Sequence, residues 1–418
     1  MSKDSLSVPL PAPGVRTRVP LSKPLRHRRY RHLWTANLIS NLGTWIQTFA
    51  SAWLIACVST TASTTTLVQT ASYIPIFMFA LFAGVIADAV DRPRFLFIVN
   101  ALMALCACAM AALVMAGHPT PAPILALTFC LGAGSAFMWP AWQASMSGLV
   151  EPDEIEAAAT LNNLSYSVAS VLGPALGGLL FNWVGAGSLF LANALSFVAL
   201  LSVFWHWQRE RGPAPPRAPI AFASSLKLGL ETAFGCPRYR WILLNVCTVF
   251  FTTIAFAALL PVYVRTVLQM DSGVFGTLMG SLGAGAVAGA FLLPGIRARI
   301  SRTHLLCGSL CVYAAMLLVL PLLKSLWLLV PLIAAAGMAW SATVSTLNAA
   351  AQLSFAPGIR ARTMSIYLFV MAGGYTAGSL VWGAVADGFG VQAALASAGA
   401  CLLINAATLL TRKPAHAI

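Results

Sequence analysis

Gly84-Val-Ile-Ala-Asp88-Ala-Val-Asp91-Arg92-Pro-Arg94 is the stretch of sequence that decides the fold. It ends a long apolar run with four charged side chains, in a chain in which only 9% of residues are charged. Charges are rare and costly within hydrocarbon, so such a cluster indicates the point at which a membrane-spanning helix reaches water. We expect a short turn between two spans at this position.

The composition of the 418 residues agrees with that interpretation. The chain is 59% hydrophobic and its mean hydropathy is +0.82. A soluble chain is closer to half apolar and a quarter charged, so we predict an all-α polytopic membrane protein. The net charge of +14 does not indicate a nucleic-acid partner, because the basic residues are scattered in short clusters rather than gathered on one face.

Twelve apolar runs are long enough to cross a membrane, since a spanning helix needs about 20 residues. The first six lie at 33–58, 66–87, 95–116, 122–146, 157–181 and 187–207. The second six lie at 241–267, 273–294, 304–323, 326–350, 364–385 and 391–411.

These runs predict five segments, with a tail at each end, two six-helix bundles and a linker that joins them. The proline-rich start of the linker cannot form a regular helix, and a short amphipathic surface helix is expected over 224–234. The segments are 1–32, 33–207, 208–240, 241–411 and 412–418.

The distribution of basic residues predicts that both termini are cytoplasmic. Segments on the side of the termini hold 23 Lys and Arg, against Arg265 and Lys324 on the other side. Positive charge favours the cytoplasmic side of a membrane. The loop between spans four and five has no basic residue, and it carries Glu151, Asp153, Glu154 and Glu156.

The two predicted bundles repeat each other at an offset of 205 residues. Glycine, arginine and proline positions at the ends of spans match at this one offset, which indicates a parallel repeat of two six-helix units. The matching pairs are Gly84 and Gly289, Arg92 and Arg297, Arg94 and Arg299, Pro152 and Pro357, Gly173 and Gly378, Gly178 and Gly383, and Gly185 and Gly390.

The opening stretch, Gly84-x-x-x-Asp88-x-x-Asp91-Arg92-x-Arg94, resembles the loop 2–3 signature of the major facilitator superfamily. Asp91 stands where that family usually has glycine, and a proline replaces one of its basic residues. The resemblance covers about residues 30–411. It implies a secondary transporter that works by alternating access.

A second segment, Gly173-Pro174-Ala-Leu-Gly177-Gly178 in span five, is similar to an element of the exporters of that superfamily. Span five lacks the earlier glycines of the full antiporter pattern. With 42–45 in span one and 137–142 in span four, the chain resembles the enterobactin-exporter-like group of drug and metabolite efflux proteins. The resemblance implies a multi-pass protein of the bacterial inner membrane.

In that family the loop 2–3 position latches the two halves together on the cytoplasmic side. Gly84 allows close helix approach, and Asp88 can meet Arg92 or the positive N-terminal end of span eleven. Glu151 or Asp153 could pair with Arg92 or Arg94. The alternative is an ordinary solvated turn, with ion pairs worth about 0–1 kcal/mol each.

The second copy of this stretch keeps Gly289, Arg297 and Arg299 but has Leu293 in place of the carboxylate of Asp88. Any latch is therefore asymmetric between the halves.

Two interpretations are open for Gly173, Pro174, Gly177 and Gly178. Proline bends a helix and glycine permits tight contact, which favours a hinge or a seal between the halves. Both residues are also tolerated in membrane helices for ordinary packing.

Spans one, four, seven and ten line the central cavity in this fold, and each carries polar or aromatic residues at helical spacing. Alone, each such residue is explained by helix–helix hydrogen bonding, but four stripes together predict a wetted pathway. The predicted lining is Asn37, Asn41, Thr44, Gln47, Thr48, Ser135, Trp139, Gln143, Asn245, Thr248, Thr252, Phe256, Ser341, Ser345 and Asn348.

The sequence shows no Lys or Arg at mid-membrane depth, which argues against a strongly anionic substrate. Asp88 and Asp387 are the carboxylates at span ends, and proton antiport would have to use them. No Gly-x-x-x-x-Gly-Lys-Ser/Thr loop occurs, so ATP is not the direct driver. We expect no cofactor and no metal, because no Cys-x-x-Cys or Cys/His metal spacing is present.

We predict a secondary active transporter that exports a hydrophobic or amphipathic small molecule, a drug or siderophore-like metabolite, by proton antiport. An importer or facilitator of a neutral small nutrient is the alternative within transport. A non-transporting membrane enzyme or signalling protein is the alternative from another class, and the sequence shows no His/Asp or Cys/His group for catalysis. The expected partners are the small molecule and the lipid bilayer, with the protein a monomer.

Overall fold

The computed structural model describes residues 20–146, 148–210, 222–297 and 299–411, and these described residues form twelve α-helices. The first six helices are α1 (Arg28–Val58), α2 (Ala62–Ala89), α3 (Arg92–Met115), α4 (Pro121–Met146), α5 (Ile155–Glu210) and α6 (Phe222–Gly235). The last six are α7 (Pro237–Val262), α8 (Ser272–Arg297), α9 (Arg302–Val319), α10 (Leu326–Leu353), α11 (Pro357–Phe389) and α12 (Val391–Thr411).

Eleven of these helices account for the twelve predicted membrane crossings, because α5 contains two of them and α6 contains none. Helix α5 has 56 residues and is broken at Gly185, where φ is 74°, so it contains the two predicted spans 157–181 and 187–207. Ten helices of the described chain are long and apolar enough to cross a membrane by length and composition. Helix α1 is not one of these ten, because its polar stripe lowers the mean hydropathy, although its 31 residues are long enough.

The glycine at the break in α5 has a counterpart in the second half. Gly390, at the junction of α11 and α12, has φ of 88°, which is also in the left-handed region that favours glycine. Gly185 and Gly390 are one of the pairs at the 205-residue offset. The repeat in the sequence therefore corresponds to a repeat in the backbone.

The helices pack as two bundles that meet along two long contacts. In the first bundle α1 and α3 pack on α5, and α2 packs on α4. In the second α8 packs on α10, α7 on α11, and α9 on α12. The longest contacts between the bundles are those of α2 with α11 and of α5 with α8, and α7 makes shorter contacts with α1 and α2.

Helix α6 lies in the linker and contacts α7 and α11. Its bounds include the 224–234 segment for which a short helix is predicted. We call the side on which α1 begins and α12 ends the tail face, and the other side the opposite face.

Candidate functional site

A cavity of about 400 Å³ lies between the two bundles. This volume is within the range of sites that bind small molecules. The first bundle contributes most of the lining, and α7 to α11 contribute the rest.

The predicted stripe on α1 faces this cavity. All five of its residues line the cavity: Asn37, Asn41, Thr44, Gln47 and Thr48. Their spacing places them on one face of the helix, so they line it together.

The predicted stripe on α4 lines the cavity only in part. Ser135 and Trp139 are in its wall, whereas Gln143 is exposed and is outside the lining.

The predicted stripe on α7 does not line the cavity. Asn245, Thr248 and Thr252 donate hydrogen bonds of 2.8 to 2.9 Å to carbonyl oxygens one turn earlier in their own helix. Phe256 is fully buried in the core. Side chains that bond their own helix need no wetted surface, so polarity alone gave the wrong face. The face of α7 in the wall is that of Thr253, Ile254 and Ala257.

The predicted residues of α10 also lie outside the lining. Ser341 is half-buried, the Ser345 hydroxyl accepts a 2.9 Å hydrogen bond from the Arg297 guanidinium, and Asn348 accepts one from Gln352. Trp340 is the residue of α10 in the cavity wall.

Several lining residues were not predicted, because they lie on helices not expected to face the cavity. A search for stripes on α1, α4, α7 and α10 passes over them. Their common signal is a polar or aromatic side chain in α2, α5, α9 or α11, and they include Gln69, Asn162, Tyr166, Asn193, Tyr313 and Tyr375.

The wall of the cavity is uncharged. The described residues that line it include amides, hydroxyls and aromatic rings, and none is Asp, Glu, Lys, Arg or His. An ion entering such a site would lose hydration without meeting an opposite charge, which is costly. The arrangement suits a neutral solute.

The contact of α2 with α11 closes the cavity toward the opposite face, and we call it the first seal. At its outer end, the Asp387 carboxylate accepts hydrogen bonds from the backbone N–H groups of Ala62, at 2.6 Å, and Ser63, at 3.2 Å. These are the first N–H groups of α2, which have no partner within the helix and attract negative charge. Deeper in, Thr70 and Ser379 share a hydrogen bond of 2.7 Å.

Aromatic stacking completes the first seal near mid-membrane depth. The rings of Tyr73 and Tyr375 stack with centroids 4.2 Å apart, and those of Phe77 and Phe369 stack at 4.3 Å. Both tyrosines also line the cavity, so this layer is its floor.

The contact of α5 with α8, the second seal, contains part of the predicted hinge. A Cβ atom on Gly178 would lie 2.6 Å from the carbonyl oxygen of Ser272, and one on Gly276 would lie 2.6 Å from that of Pro174. The two helices therefore touch through their backbones. At the outer end the Asn182 amide donates to Asp271 at 3.1 Å.

The other glycines of this segment face α1 rather than α8. Gly173 lies against the Cβ of Trp45, and a Cβ on Gly177 would lie 2.8 Å from the ring of Phe49. Helix α5 continues through Pro174 and changes direction only at Gly185. The geometry here is that of a close contact between helices.

Toward the tail face the cavity is open. Trp139 and Tyr166, which line the cavity within one or two turns of its end toward that face, have 47% and 45% of their surfaces exposed. On α5, the line of residues that contacts α8 continues to Leu164, which is 41% exposed. The structure is therefore open on one side and closed on the other.

Loop 2–3 has a local structural role in this conformation. The Asp91 carboxylate accepts a 3.1 Å hydrogen bond from the backbone N–H of Arg94 and so caps the N-terminus of α3. Gly84 and Asp88 lie within α2, and the surroundings of Gly84 and of the Asp88 side chain are outside what the structure describes.

The acidic loop 4–5 binds the N-terminal tail rather than loop 2–3. Lys23 contacts Glu151 at 3.5 Å, Asp153 at 2.9 Å and Glu154 at 3.2 Å, and His27 contacts Glu154 at 2.7 Å. The expected partners of this loop were Arg92 and Arg94. The tail segment that holds Lys23 leads directly into α1, and α1 packs along the start of α5, where the Tyr30 hydroxyl bonds the carbonyl of Ala158.

These contacts shift the pKa values of three side chains that lie outside the membrane-spanning segments. The hydrogen bond from Lys23 lowers the pKa of Asp153. In turn, the hydrogen bonds to Asp153 and Glu154 raise the pKa of Lys23. Burial alone would raise the pKa of Glu154, but hydrogen bonds from Lys23 and His27 outweigh it and hold that pKa low. Lys23, Asp153 and Glu154 are therefore ionised at neutral pH.

The second-half counterparts of loop 2–3 hold α8 against α10. A Cβ on Gly289 would lie 2.9 Å from the Cα of Met338, so these helices meet at their backbones. Arg297 bonds Ser345 of α10, and the backbone N–H of Arg299 bonds the carbonyl of Ile296.

A model of the transmembrane secretion effector family, within the major facilitator superfamily, matches residues 20–416, nearly the whole chain. The chain belongs to this family. It is a transporter of the major facilitator superfamily, and not an enzyme.

The curated relatives that match this transporter have low sequence identity to it. It is 23% identical over 270 residues, 63% of its length, to the staphyloferrin A transporter of Staphylococcus aureus strain NCTC 8325. It is 25% identical over 178 residues, 41% of its length, to YkuC of Bacillus subtilis strain 168, an uncharacterized transporter of the same superfamily. The alignments cover 66% and 40% of these relatives, less than two thirds of either.

Solved structures share the fold of this transporter along almost its entire length. The nucleoside transporter NupG superimposes with a TM-score of 0.71 at 12% identity, covering 92% of this chain and all of NupG. A bacterial homologue of ferroportin in an inward-facing state gives 0.67 at 13% identity, covering 92% of this chain and 99% of that one. At these identities the likeness shows the fold alone.

Proposed function

We propose that this transporter exports a neutral hydrophobic or amphipathic small molecule by alternating access. The observation that carries the proposal is the uncharged cavity of amides and aromatic rings, closed by two seals on one side and open on the other. The description of the family as a secretion effector supports export, and the staphyloferrin A transporter is a relative whose name indicates a siderophore.

The direction rests on the orientation of the chain in the membrane. The excess of 23 basic residues over 2 favours a cytoplasmic tail face, with both termini inside, in a bacterial inner membrane. The open cavity then takes up solute from the cytoplasm. Opening of the two seals, with closure of the tail face, releases the solute outside.

We propose proton antiport as the energy source. The cavity wall offers no carboxylate among the described residues, so proton binding would fall to Asp88 or Asp387 at the ends of their spans. Gly84, Asp88, Arg92 and Arg94 would act as the latch of the tail face in the alternate state, in which that face is closed.

Export can be tested with N-phenyl-1-naphthylamine, a neutral aromatic fluorophore. Cells that express the protein are loaded with this probe, energised, and followed by fluorescence. We expect faster efflux than from cells without the protein, and loss of that efflux when an uncoupler collapses the proton gradient. Gradient-driven accumulation in place of efflux would identify an importer of neutral solutes instead.

Matched tryptophan variants assign the efflux to the cavity. Trp139→Ala removes an aromatic side chain from the wall, and we expect at least a several-fold slower efflux. Trp327→Ala removes a side chain that is 90% exposed and outside the lining, and should leave efflux unchanged. Equal efflux by Trp139→Ala and wild type would remove the cavity from the pathway.

Separate variants test the coupling. If Asp88 or Asp387 carries the proton, Asp88→Asn or Asp387→Asn should export no faster with a gradient than without one. Gradient-driven efflux by both variants would exclude these carboxylates.

A further inference from the structure

Two asparagines in the cavity wall meet at the contact of α1 with α5. The amide nitrogen of Asn37 donates a 3.2 Å hydrogen bond to the side-chain oxygen of Asn162. The indole nitrogen of Trp142 donates a 3.0 Å bond to the same oxygen. That oxygen therefore accepts two hydrogen bonds, which fixes the orientation of both amides.

This arrangement leaves one acceptor and one donor without a partner in the described part of the protein. They are the side-chain oxygen of Asn37 and the amide nitrogen of Asn162. Both residues line the cavity, although only 3% and 8% of their surfaces are exposed. An acceptor and a donor that have no protein partner, on residues that line a cavity, are available to bind a solute.

Aromatic rings lie one turn deeper than the two asparagines. Tyr166 follows Asn162 by one helical turn, and it makes edge contacts with Trp45 at 5.6 Å and with Trp139 at 6.4 Å between ring centroids. All three rings line the cavity. Aromatic side chains in such arrangements favour a flat aromatic partner.

The second bundle provides a wall of a different kind. Its non-aromatic lining residues include Ile254, Ala257, Met279 and Leu282, and it contributes no amide to the described lining. The amides of the described lining are thus contributed by the first bundle alone. A solute with one amide-like edge matches this asymmetry in a single orientation.

We infer that Asn37 and Asn162 determine substrate specificity by binding a neutral group that both donates and accepts hydrogen bonds, such as a carboxamide, on a flat aromatic body. The polar group lies against the first bundle and the aromatic body against Tyr166 and the second bundle. This inference rests on the proposed function, since it assigns the chemistry of the same cavity.

The test uses three ligands that share one ring system. Tritiated 1-naphthamide is bound to the purified full-length protein in lipid nanodiscs, and 1-methylnaphthalene and 1-naphthoate compete against it. We expect 1-naphthamide to bind about tenfold more tightly than 1-methylnaphthalene, the gain of two hydrogen bonds. The anion 1-naphthoate should be the weakest competitor, because the described wall holds no cation. Empty nanodiscs measure partition into lipid.

Leucine variants show which residues cause the preference for 1-naphthamide over 1-methylnaphthalene. Asn37→Leu and Asn162→Leu, on different helices, should each bring 1-naphthamide and 1-methylnaphthalene to nearly equal affinity, and Asn162→Ser is available if a leucine variant fails to fold. Asn245→Leu is the matched control, because this buried amide bonds its own helix outside the lining. It should keep the wild-type preference.

The inference is overturned if the three ligands compete equally, if none binds saturably, or if Asn37→Leu and Asn162→Leu keep the preference. Binding in nanodiscs needs no gradient, so this result is independent of export. A protein that binds 1-naphthamide as described but does not move N-phenyl-1-naphthylamine would defeat the proposed function alone. A protein that exports the fluorophore without preferring the amide would defeat the inference alone.

Discussion

The two seals occupy equivalent places in the repeat but are built from different chemistry. Gly178 and Asn182 in the second seal correspond to Gly383 and Asp387 in the first, at the same offset of 205 residues. Both glycines lie at a close approach to the facing helix, which is α8 in one seal and α2 in the other. The residues one turn outward differ, an amide in one half and a carboxylate in the other.

That difference changes which helix provides the cap. In the first seal Asp387 of α11 caps the start of α2 across the boundary between the bundles. In the second, Asp271 caps α8 from its own chain segment, with its carboxylate 3.2 Å from the N–H of Val274, and Asn182 only donates to it. Opening the first seal therefore removes the carboxylate from the first two N–H groups of α2, while Thr61 still caps the N–H of Thr64. Opening the second seal breaks the hydrogen bonds that Asn182 makes with Asp271 and that Ser272 makes with α5.

The largest expected effect comes from overpacking the glycine contact of the second seal. Gly276→Leu places a side chain against the backbone of α5, and such overpacking costs about 1–3 kcal/mol. We expect the population to shift toward a state that is open at the opposite face. Spin labels at His118→Cys and Trp327→Cys, both exposed on that face, should report a longer distance between the bundles.

Gly295→Leu is the control for this variant, since nothing lies within 4 Å of a Cβ at that position of the same helix. The labels require a background in which the nine native cysteines are replaced by serine. An unchanged distance in Gly276→Leu would mean that the seal does not depend on backbone contact.

A smaller shift is expected when the first seal loses its cap. Asp387→Ala leaves the N–H groups of Ala62 and Ser63 without their carboxylate, and the loss of a cap costs about 0.5–2 kcal/mol. The same spin labels should show an increased open fraction. Asp387→Asn keeps one acceptor oxygen and should give a smaller shift than Asp387→Ala. Equal distances in wild type and Asp387→Ala would show that the cap does not hold the seal.

The smallest effect is expected at the equivalent position of the second seal. Asn182→Ala removes the exposed hydrogen bond to Asp271 and the 2.8 Å bond that Asn182 accepts from Ser272. The Ser272 hydroxyl keeps its 3.1 Å bond to the carbonyl of Gly178, so its donor stays paired. A hydrogen bond is worth about 0.5–1.5 kcal/mol net, and an exposed one is replaced by water. The label distances should change less than in Asp387→Ala. A larger change would reverse the ranking of the two seals.

The fold could be predicted from the sequence because its signals are long and redundant. Apolar runs of about 20 residues indicated the spans. The longest helix, α5, is interrupted at Gly185, between two of the predicted spans. Helix α1 shows the limit of hydropathy, since the cavity residues it carries, such as Asn41, make it less apolar than its neighbours. Its assignment as a membrane span rested on the twelve-span pattern of the whole chain.

The cavity was only half predictable, and α1 and α7 show why. On α1 the polar residues face the cavity. On α7 they lie outside the lining and bond their own helix, as Thr48 of α1 also does, so neither a periodic pattern nor a local hydrogen bond tells the two uses apart. The pairing of Lys23 with Asp153 depends on the packing of α1 along α5, which no local pattern records. Asp387 appeared as an isolated charge, and its partner is 325 residues away in the chain.

Alternating access through the two seals is tested most directly by locking one of them. Thr70 and Ser379 already share a hydrogen bond of 2.7 Å, so Thr70→Cys and Ser379→Cys together, in the serine background, should form a disulfide on oxidation. Either variant alone is the control. The oxidised double variant should still bind 1-naphthamide but should not export N-phenyl-1-naphthylamine, and reduction should restore export. Undiminished export with the disulfide intact would contradict alternating access through this seal.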